Sequence, residues 1–317
     1  MASPRGVEIL LVQSDDAEGQ SLREDFDAIG LLSVIQTVPD GDSALAALRG
    51  QPPFVAAVTP SLILVDLTIQ ERDESLAANL ELLSEIKSDP QLRSIPVVVL
   101  TNSHAAADAL NAYSHGACSF VCKPESPVER RRLIHRFSQY WAQVAQLPHA
   151  IEHRGDEPLP LTPTALDDLG PDAISPVDVL VVDDSEDDVV LLQEAFSDCP
   201  LVNFVQTVPD GETAIRYQKG QHPYAGARRP GLVLLDINMP RKNGFETLTE
   251  IRNDPELRQV PVVILTTSKQ ESDILRAYST GACSFISKPF NFDTMKQIAQ
   301  QFAIYWTSVA DVPVEPN

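Results

Sequence analysis

The side chains with chemical potential stand at the ends of short apolar runs. In the C-terminal half, the run Val177–Val182 ends in Asp183 and Asp184, and Leu232–Leu235 ends in Asp236. Val260–Leu265 ends in Thr266, and Cys283–Ser287 leads into Lys288 and Pro289. Gathered at one edge, these would be three carboxylates, one hydroxyl and one ammonium. Clustered carboxylates raise one another's pKa unless a cation is present. An oxygen-rich site of this kind suits Mg²⁺, which takes one or two carboxylates, keeps waters and leaves room for phosphate oxygens. Lysine supplies a point charge for a phosphate, and threonine a hydrogen bond. An aspartate so placed can act as a nucleophile and form an aspartyl-phosphate.

The elements that would gather them follow from the pattern. The runs, with Val202–Thr207 as a further one, are short, rich in Val, Ile and Leu, and do not alternate, as strands buried on both faces should read. Between and after them lie helix-period stretches, Asp187–Ser197, Glu212–Lys219, Phe245–Arg252, Asp273–Tyr278 and Phe292–Val309. Five βα units imply a parallel, doubly wound sheet with right-handed crossovers. In such sheets ligands sit beyond the carboxyl ends of the strands.

The design occurs twice. QTVPDG stands at Gln36–Gly41 and again at Gln206–Gly211, an offset of 170, and GACSF at Gly116–Phe120 and Gly281–Phe285, an offset of 165. Phe137, Tyr140 and Trp141 match Phe302, Tyr305 and Trp306 at the second offset. The first half therefore holds five extra residues, between Asp66 and Ile86. A repeat this long is a duplicated domain, not a solenoid of ~20–50-residue units. The expected division is a domain over 1–148, a linker over 149–176 and a domain over 177–313. The linker carries Pro158, Pro160, Pro163, Pro171 and Pro176, which favour extended backbone, with room for a short helical turn near Ala165–Leu169.

VLVVDDSEDD (Val179–Asp188), LVLLDINMPRKNG (Leu232–Gly244), VVILTTS (Val262–Ser268) and GACSFISKP (Gly281–Pro289) together resemble the receiver domain of two-component response regulators. The chain resembles it twice over, as a tandem of flavodoxin-like (βα)5 domains. It is most similar to the stand-alone receivers that serve phytochromes, which share the LTTS segment, the loop comparable to Gly220–Gly231 and a long last helix with an aromatic pair. The resemblance implies Asp236 as phosphoacceptor, attacking a phosphohistidine on a kinase. Asp183, Asp184, Asp236 and the backbone carbonyl of Asn238 would hold Mg²⁺. Lys288 would pair with the phosphoryl group, Thr266 would bond a phosphoryl oxygen, and Phe285 would rotate inward in response. Lys288-Pro289 resembles the family's cis peptide bond.

The first half departs from the pattern. Asp66, Thr101, Phe120 and Lys123 are present, but Gln13 and Ser14 replace the acidic pair, and LTIQERDES replaces INMPRKNGF after the aspartate. The formal charge of the cluster falls from −3 to −1, and Coulomb attraction for a divalent ion falls roughly in proportion. Weak Mg²⁺ binding and poor or absent phosphorylation are expected there, with Asp66 and Lys123 as an unmetallated ion pair. A register shift bringing in Asp15 or Asp16 would pull polar residues into the strand.

The whole chain of 317 residues carries a net charge of −21, distributed as −8 in residues 1–150, −5 in 151–176 and −8 in 177–317. This argues against a sequence-independent grip on nucleic acid and against docking on anionic lipid. No stretch approaches the ~20 apolar residues of a membrane span, and the N-terminus has no signal-peptide core, so a cytoplasmic protein is expected. Cys118, Cys122, Cys199 and Cys283 read as reduced, buried small residues, and the histidines as surface residues. Two features have both an ordinary and an interfacial reading. Tyr140-Trp141 and Tyr305-Trp306 could close each last helix on its own sheet or build a homodimer or internal pseudo-dimer interface, where such residues are enriched. Arg131, in the run Arg130, Arg131, Arg132 and Arg136, could lie on a solvated helix face or meet an acidic surface.

The expected function is that of a response regulator without an output domain, since nothing after Pro313 could form a DNA-binding unit. Its partner would be a sensor histidine kinase, of phytochrome type in this subfamily, or a phosphotransfer protein. A phosphorylation-independent scaffold and a phosphate sink or relay are the alternatives. An enzyme on this fold is disfavoured: a Mg²⁺-dependent phosphatase would want an acid-any-acid order after the first strand, and a nucleotide site a Gly-rich first turn.

Overall fold

Buried Val, Ile and Leu runs set the architecture, because each can only be satisfied as a strand covered on both faces. The computed structural model describes residues 7–54, 59–67, 74–148, 175–197, 199 and 202–313. The expected turn near Ala165–Leu169, and residues 68–73 of the altered loop after Asp66, lie outside them. The first half runs β1 (Val7–Val12), α1 (Asp16–Ile29), β2 (Leu32–Val38), α2 (Gly41–Leu48) and β3 (Leu62–Leu67). It continues through α3 (Glu74–Ser88), β4 (Val97–Thr101), α4 (Ala106–Ser114), β5 (Ser119–Cys122) and α5 (Pro127–Gln139), ending in a π-helical turn over Tyr140–Val144. The second half repeats the order: β6 (Val177–Val182), α6 (Glu186–Ser197), β7 (Val202–Val208), α7 (Gly211–Gln218) and β8 (Leu232–Leu235). Then follow α8 (Gly244–Asn253), β9 (Val262–Thr266), α9 (Glu271–Thr280), β10 (Ser284–Ser287) and α10 (Phe292–Ser308).

Each half is a five-stranded parallel sheet, ordered β2-β1-β3-β4-β5 and β7-β6-β8-β9-β10. This is the doubly wound, flavodoxin-like arrangement expected from the sequence. The order reverses beside β1 and β6, so the carboxyl ends of β1, β3 and β6, β8 open on one crevice in each half. The QTVPDG repeat has a structural reason: its aspartate caps the second helix. Asp40 accepts from the backbone N–H of Ser43 at 2.8 Å, and Asp210 from that of Thr213 at 2.8 Å. Both cap the otherwise unpaired amides of a helix start.

The two halves pack on each other around a pseudo-two-fold relation. The rings of Tyr140 and Tyr305 stack with centroids 4.1 Å apart and planes 10° from parallel. Trp141 Nε1 donates to the Tyr305 hydroxyl at 2.9 Å, and Trp306 Nε1 to the Tyr140 hydroxyl at 3.2 Å. All four side chains are buried. Burial drives both tyrosine pKa values far up, so the hydroxyls stay protonated. The aromatic pairs therefore serve the interface between halves. Each half also lends its C-terminal segment to the other: Gln146 N donates to Phe285 O at 2.7 Å, and Asp311 N to Phe120 O at 2.7 Å. These bonds cover β5 and β10, which would otherwise be open sheet edges. Cys118 and Cys283 lie at the same seam, each directing Sγ at the backbone carbonyl before the other, Ala282 at 3.7 Å and Ala117 at 3.9 Å. All four cysteines are free thiols, and three are buried.

Arg131 does not take part in this interface. Its Nε donates to Asp25 of the same half at 3.0 Å, beside Arg130, whose Nε donates to the other Asp25 oxygen at 2.8 Å. Arg130 and Arg131 of α5 thus reach the buried Asp25 carboxylate of α1, while Tyr140 and Trp141 meet the second half. No helix among the described residues is long and apolar enough to cross a membrane.

Candidate functional site

In the second half, β6 ends at Val182 and delivers Asp183 and Asp184, and β8 ends at Leu235 and delivers Asp236. A carboxylate oxygen of each lies within 4.8 Å of the others. Asp183 and Asp236 are buried, whereas Asp184 is exposed. Backbone amides fix the two buried groups: Ser185 N donates to Asp183 Oδ1 at 3.0 Å, and Ile237 N to Asp236 Oδ1 at 2.8 Å. Thr266, at the end of β9, and Lys288, just past β10, are tied by a 2.7 Å bond from Lys288 N to Thr266 O. Lys288 Nζ donates to Asp183 Oδ2 at 2.7 Å and stands 3.8 Å from Asp236 Oδ2. Asn238 Nδ2 donates to Thr266 Oγ1 at 3.4 Å. The sequence-derived residues of this half thus converge. Phe285 is fully buried in the core of β10, and its backbone oxygen accepts the bond from Gln146 of the first half.

The electrostatics are those of a cation site. Burial lifts the Asp183 carboxyl above its ordinary range, against the bond and charge of Lys288, and the like charge of Asp236 adds to the lift. Burial also opposes the Lys288 ammonium, but the charge of Asp236 and the bonds to Asp183 and Asp188 outweigh it and raise its pKa. One ammonium faces the acids, and negative charge remains in excess. Hard carboxylate oxygens fit Mg²⁺, and Asp183, Asp184 and Asp236 are the side chains that would hold it.

One expectation is corrected. Lys288–Pro289 is not cis; among the described residues the cis bonds are Pro52–Pro53 and His222–Pro223. Trans is the intrinsically favoured form even before proline, and here Lys288 already reaches its carboxylates from it.

Residues beyond those read from the sequence also contribute. Asp188, in the first turn of α6, accepts from Lys288 Nζ at 2.6 Å. It lies five residues after Asp183, and the acid Glu18 at the matching place of the first half was the available signal. Gly244 starts α8 beneath the acceptor: a Cβ there would fall 2.1 Å from Asp236 O, so no side chain fits. Arg241 has φ of 67°, in the left-handed region, and its guanidinium pairs with Asp210, linking the β8–α8 loop to the cap of α7.

The first half builds the same frame around a different centre. Gln13 takes the place of Asp183, is buried, and donates its side-chain amide to Asp66 Oδ2. Lys123 Nζ lies 2.6 Å from both Asp66 oxygens and 2.8 Å from Glu18 Oε1. The acceptor-like carboxylate is thus occupied by an amide donor and an ammonium, and its side chain is fully covered. Ser14, in the place of Asp184, is exposed and brings no charge. Thr101 Oγ1 donates to Leu67 O at 3.1 Å, and Phe120 is buried. Asp66 lies inside the ladder, opposite Leu100, whereas the β8–β9 pairing ends at Leu235, before Asp236.

Residues 179–300 match the family model of the response regulator receiver domain. Response regulator Rcp1 of Synechocystis sp. is 33% identical over 135 residues, covering 43% of this chain and 92% of Rcp1. The probable methanogenesis regulatory protein FilR2 of Methanothrix harundinacea is 33% identical over 135 residues, covering 43% of this chain and 86% of that protein. Among solved structures, the phosphorylated cyanobacterial phytochrome response regulator RcpA is 38% identical with a TM-score of 0.40, covering 42% of this chain and 94% of that one. The Mn²⁺-bound form of Rcp1 is 32% identical with a TM-score of 0.42, covering 44% of this chain and all of that one. On the sequence relationship and the gathered aspartates, threonine and lysine, the chain belongs to the response regulator receiver family.

Proposed function

We propose that the chain is a tandem receiver in which residues 177–313 accept a phosphoryl group on Asp236 and residues 1–148 form a receiver that does not. The observation that carries this is the contrast between three converging carboxylates around Asp236 and the Gln13–Asp66–Lys123 network. The donor is a phosphohistidine of a sensor histidine kinase or phosphotransfer protein. An Asp236 carboxylate oxygen forms the new O–P bond, the N–P bond breaks, and the imidazole nitrogen keeps the electron pair and takes up a proton. Mg²⁺, when bound, supplies charge neutralisation at the transferring phosphoryl oxygens. Lys288 and Thr266 supply an ammonium and a hydroxyl for those oxygens, and Gly244 leaves the acceptor backbone its place.

The surroundings of the site support docking at the second half. Val190 and Leu191 on α6 and Phe290 after β10 are exposed apolar side chains, Phe290 at 95%. Their counterparts in the first half are Gln20, Ser21 and Glu125. An apolar rim suits a protein partner. The first half serves as a pairing and regulatory module, and the signal leaves through protein contacts. The protein is cytoplasmic and performs no chemistry beyond its own phosphorylation and dephosphorylation. The test is Mg²⁺-dependent labelling by a small phosphodonor: it should vanish in Asp236→Asn and survive in Asp66→Asn. Label that persists in Asp236→Asn would contradict the reading.

A further inference from the structure

Lys288 has more acid around it than the phosphoryl chemistry uses. Its ammonium lies 2.7 Å from Asp183, 2.6 Å from Asp188 and 3.8 Å from the acceptor Asp236. The two close carboxylates draw it away from the nucleophile. In the first half the counterpart of Asp183 is the neutral Gln13, and only Glu18 opposes Asp66. There the ammonium has moved onto the acceptor-like carboxylate, 2.6 Å from both oxygens. With two holding acids the acceptor stays open; with one it is covered.

We infer that Asp188 is a positioning residue for phosphorylation: with Asp183 it holds the Lys288 ammonium off Asp236, leaving the acceptor carboxylate free for metal and phosphodonor. The role becomes more demanding once a cation engages Asp183, because Asp188 is then the remaining anchor that does not belong to the carboxylate trio. Asp188 is partly exposed, so it can hold the lysine without itself being sealed away. Glu18 shows that a glutamate at this place also reaches the lysine, at 2.8 Å. The carboxylate, not its exact reach, is the working feature. This inference rests on the reading of Asp236 as phosphoacceptor.

The test compares three variants of the full chain: Asp188→Asn, Asp188→Glu and Asp187→Asn. Asp187 is the exposed neighbour, and its change removes the same charge without touching Lys288. Mg²⁺ affinity is measured by calorimetry, labelling by a small phosphodonor at saturating Mg²⁺, and folding by thermal melting. Asp188→Asn should weaken Mg²⁺ binding at least about threefold, since a lysine on Asp236 competes with the ion. It should slow labelling about tenfold at saturating Mg²⁺, a positional loss that metal cannot make up. Asp187→Asn should match the wild type in both, and Asp188→Glu should recover both. Asp188→Asn indistinguishable from Asp187→Asn, or Asp188→Glu as impaired as Asp188→Asn, overturns the inference. A wild-type protein that binds Mg²⁺ but takes no label overturns the phosphoacceptor reading, and the calorimetric comparison still decides the role of Asp188. A wild type that binds no Mg²⁺ overturns both.

Discussion

The two halves share strand order, the aspartate cap of the second helix and the aspartate–threonine–lysine set, yet their sites differ in kind. In the second half Asp236 faces two further carboxylates and a lysine that stands off. In the first, Asp66 is clasped by Gln13 and Lys123 in a buried, hydrogen-bonded network. An acceptor aspartate is thus defined by its neighbours. Replacing one carboxylate by an amide turns a group that wants a cation into one that already has its donors. A buried ion pair of this sort adds little net stability but costs several kcal/mol when one member is removed. The pairing of the halves joins this network to the open acidic site of the second.

The largest expected effect tests the symmetry of that pairing. Tyr140→Ala and Tyr305→Ala each remove one ring of the stacked pair and strand a buried tryptophan N–H. Each should cost about 4 kcal/mol of stability. Denaturant unfolding followed by fluorescence of Trp141 and Trp306, both at the seam, is the measurement. A loss confined to one of the two variants would break the pseudo-two-fold account.

Next comes a pair of matched glycines. A Cβ on Gly211 would fall 1.7 Å from Thr247 Oγ1, whereas on Gly41 it would meet Leu82 at an ordinary 3.4 Å. Gly211→Ala should destabilise by about 2 kcal/mol. Gly41→Ala, at a helix start with room, should be neutral or stabilise by up to about 1 kcal/mol. Equal melting shifts for the two would show that the second half is no more tightly built beside its site than the first.

The comparison can also be reversed. Gln13→Asp with Ser14→Asp restores the acidic trio in the first half and should create a Mg²⁺ site. At ten times its dissociation constant the ion should then stabilise the doubly substituted protein by about 1.4 kcal/mol beyond its effect on the wild type. No gain in Mg²⁺-dependent melting would mean that the frame around Asp66 has lost more than charge.

The smallest effect is in pH dependence, where two aspartates of the second half should act with opposite sign. Asp183 is held above its unfolded value by burial, so the metal-free folded state takes up this proton first on acidification. Its penalty on stability is full above the folded pKa and is relieved as the pH falls from the folded pKa to the unfolded one. Mg²⁺ affinity should fall over the same window, at higher pH than an ordinary aspartate would give. Burial opposes ionisation of Asp210 too, but the bonds from Thr213 and the charge of Arg241 hold its carboxyl below the ordinary range. Its stabilisation is present above the unfolded pKa and lost as the pH falls through the folded one. Asp183→Asn should remove the first dependence and Asp210→Asn the second; an unchanged profile in either would refute that assignment.

Much of this was legible in the residues. Continuous Val–Ile–Leu runs dictated buried parallel strands, and the strand-end acids, Thr266 and Lys288 converge because the sheet order leaves them no other edge. The repeat offsets located the insertion and paired Gln13 with Asp183 before any geometry was known. What was not legible depends on direction in space. Spacing alone could not tell whether Tyr140 and Tyr305 would close their own domains or meet each other. Nor could it show that Arg130 and Arg131 of α5 turn to Asp25. Asp188 was hidden because an acid in the first turn of a helix is ordinarily a dipole partner. Only the position of Lys288 gives it a second role.

On the proposed reading, one half accepts phosphate and its duplicate does not. The most direct measurement is the stoichiometry and site of labelling on the full chain, using a small phosphodonor with saturating Mg²⁺, trapping of the acyl phosphate and peptide mapping. One phosphoryl group per chain is expected, on Asp236, with Asp66 unlabelled even at long times. Two groups per chain, or label on Asp66, would contradict it.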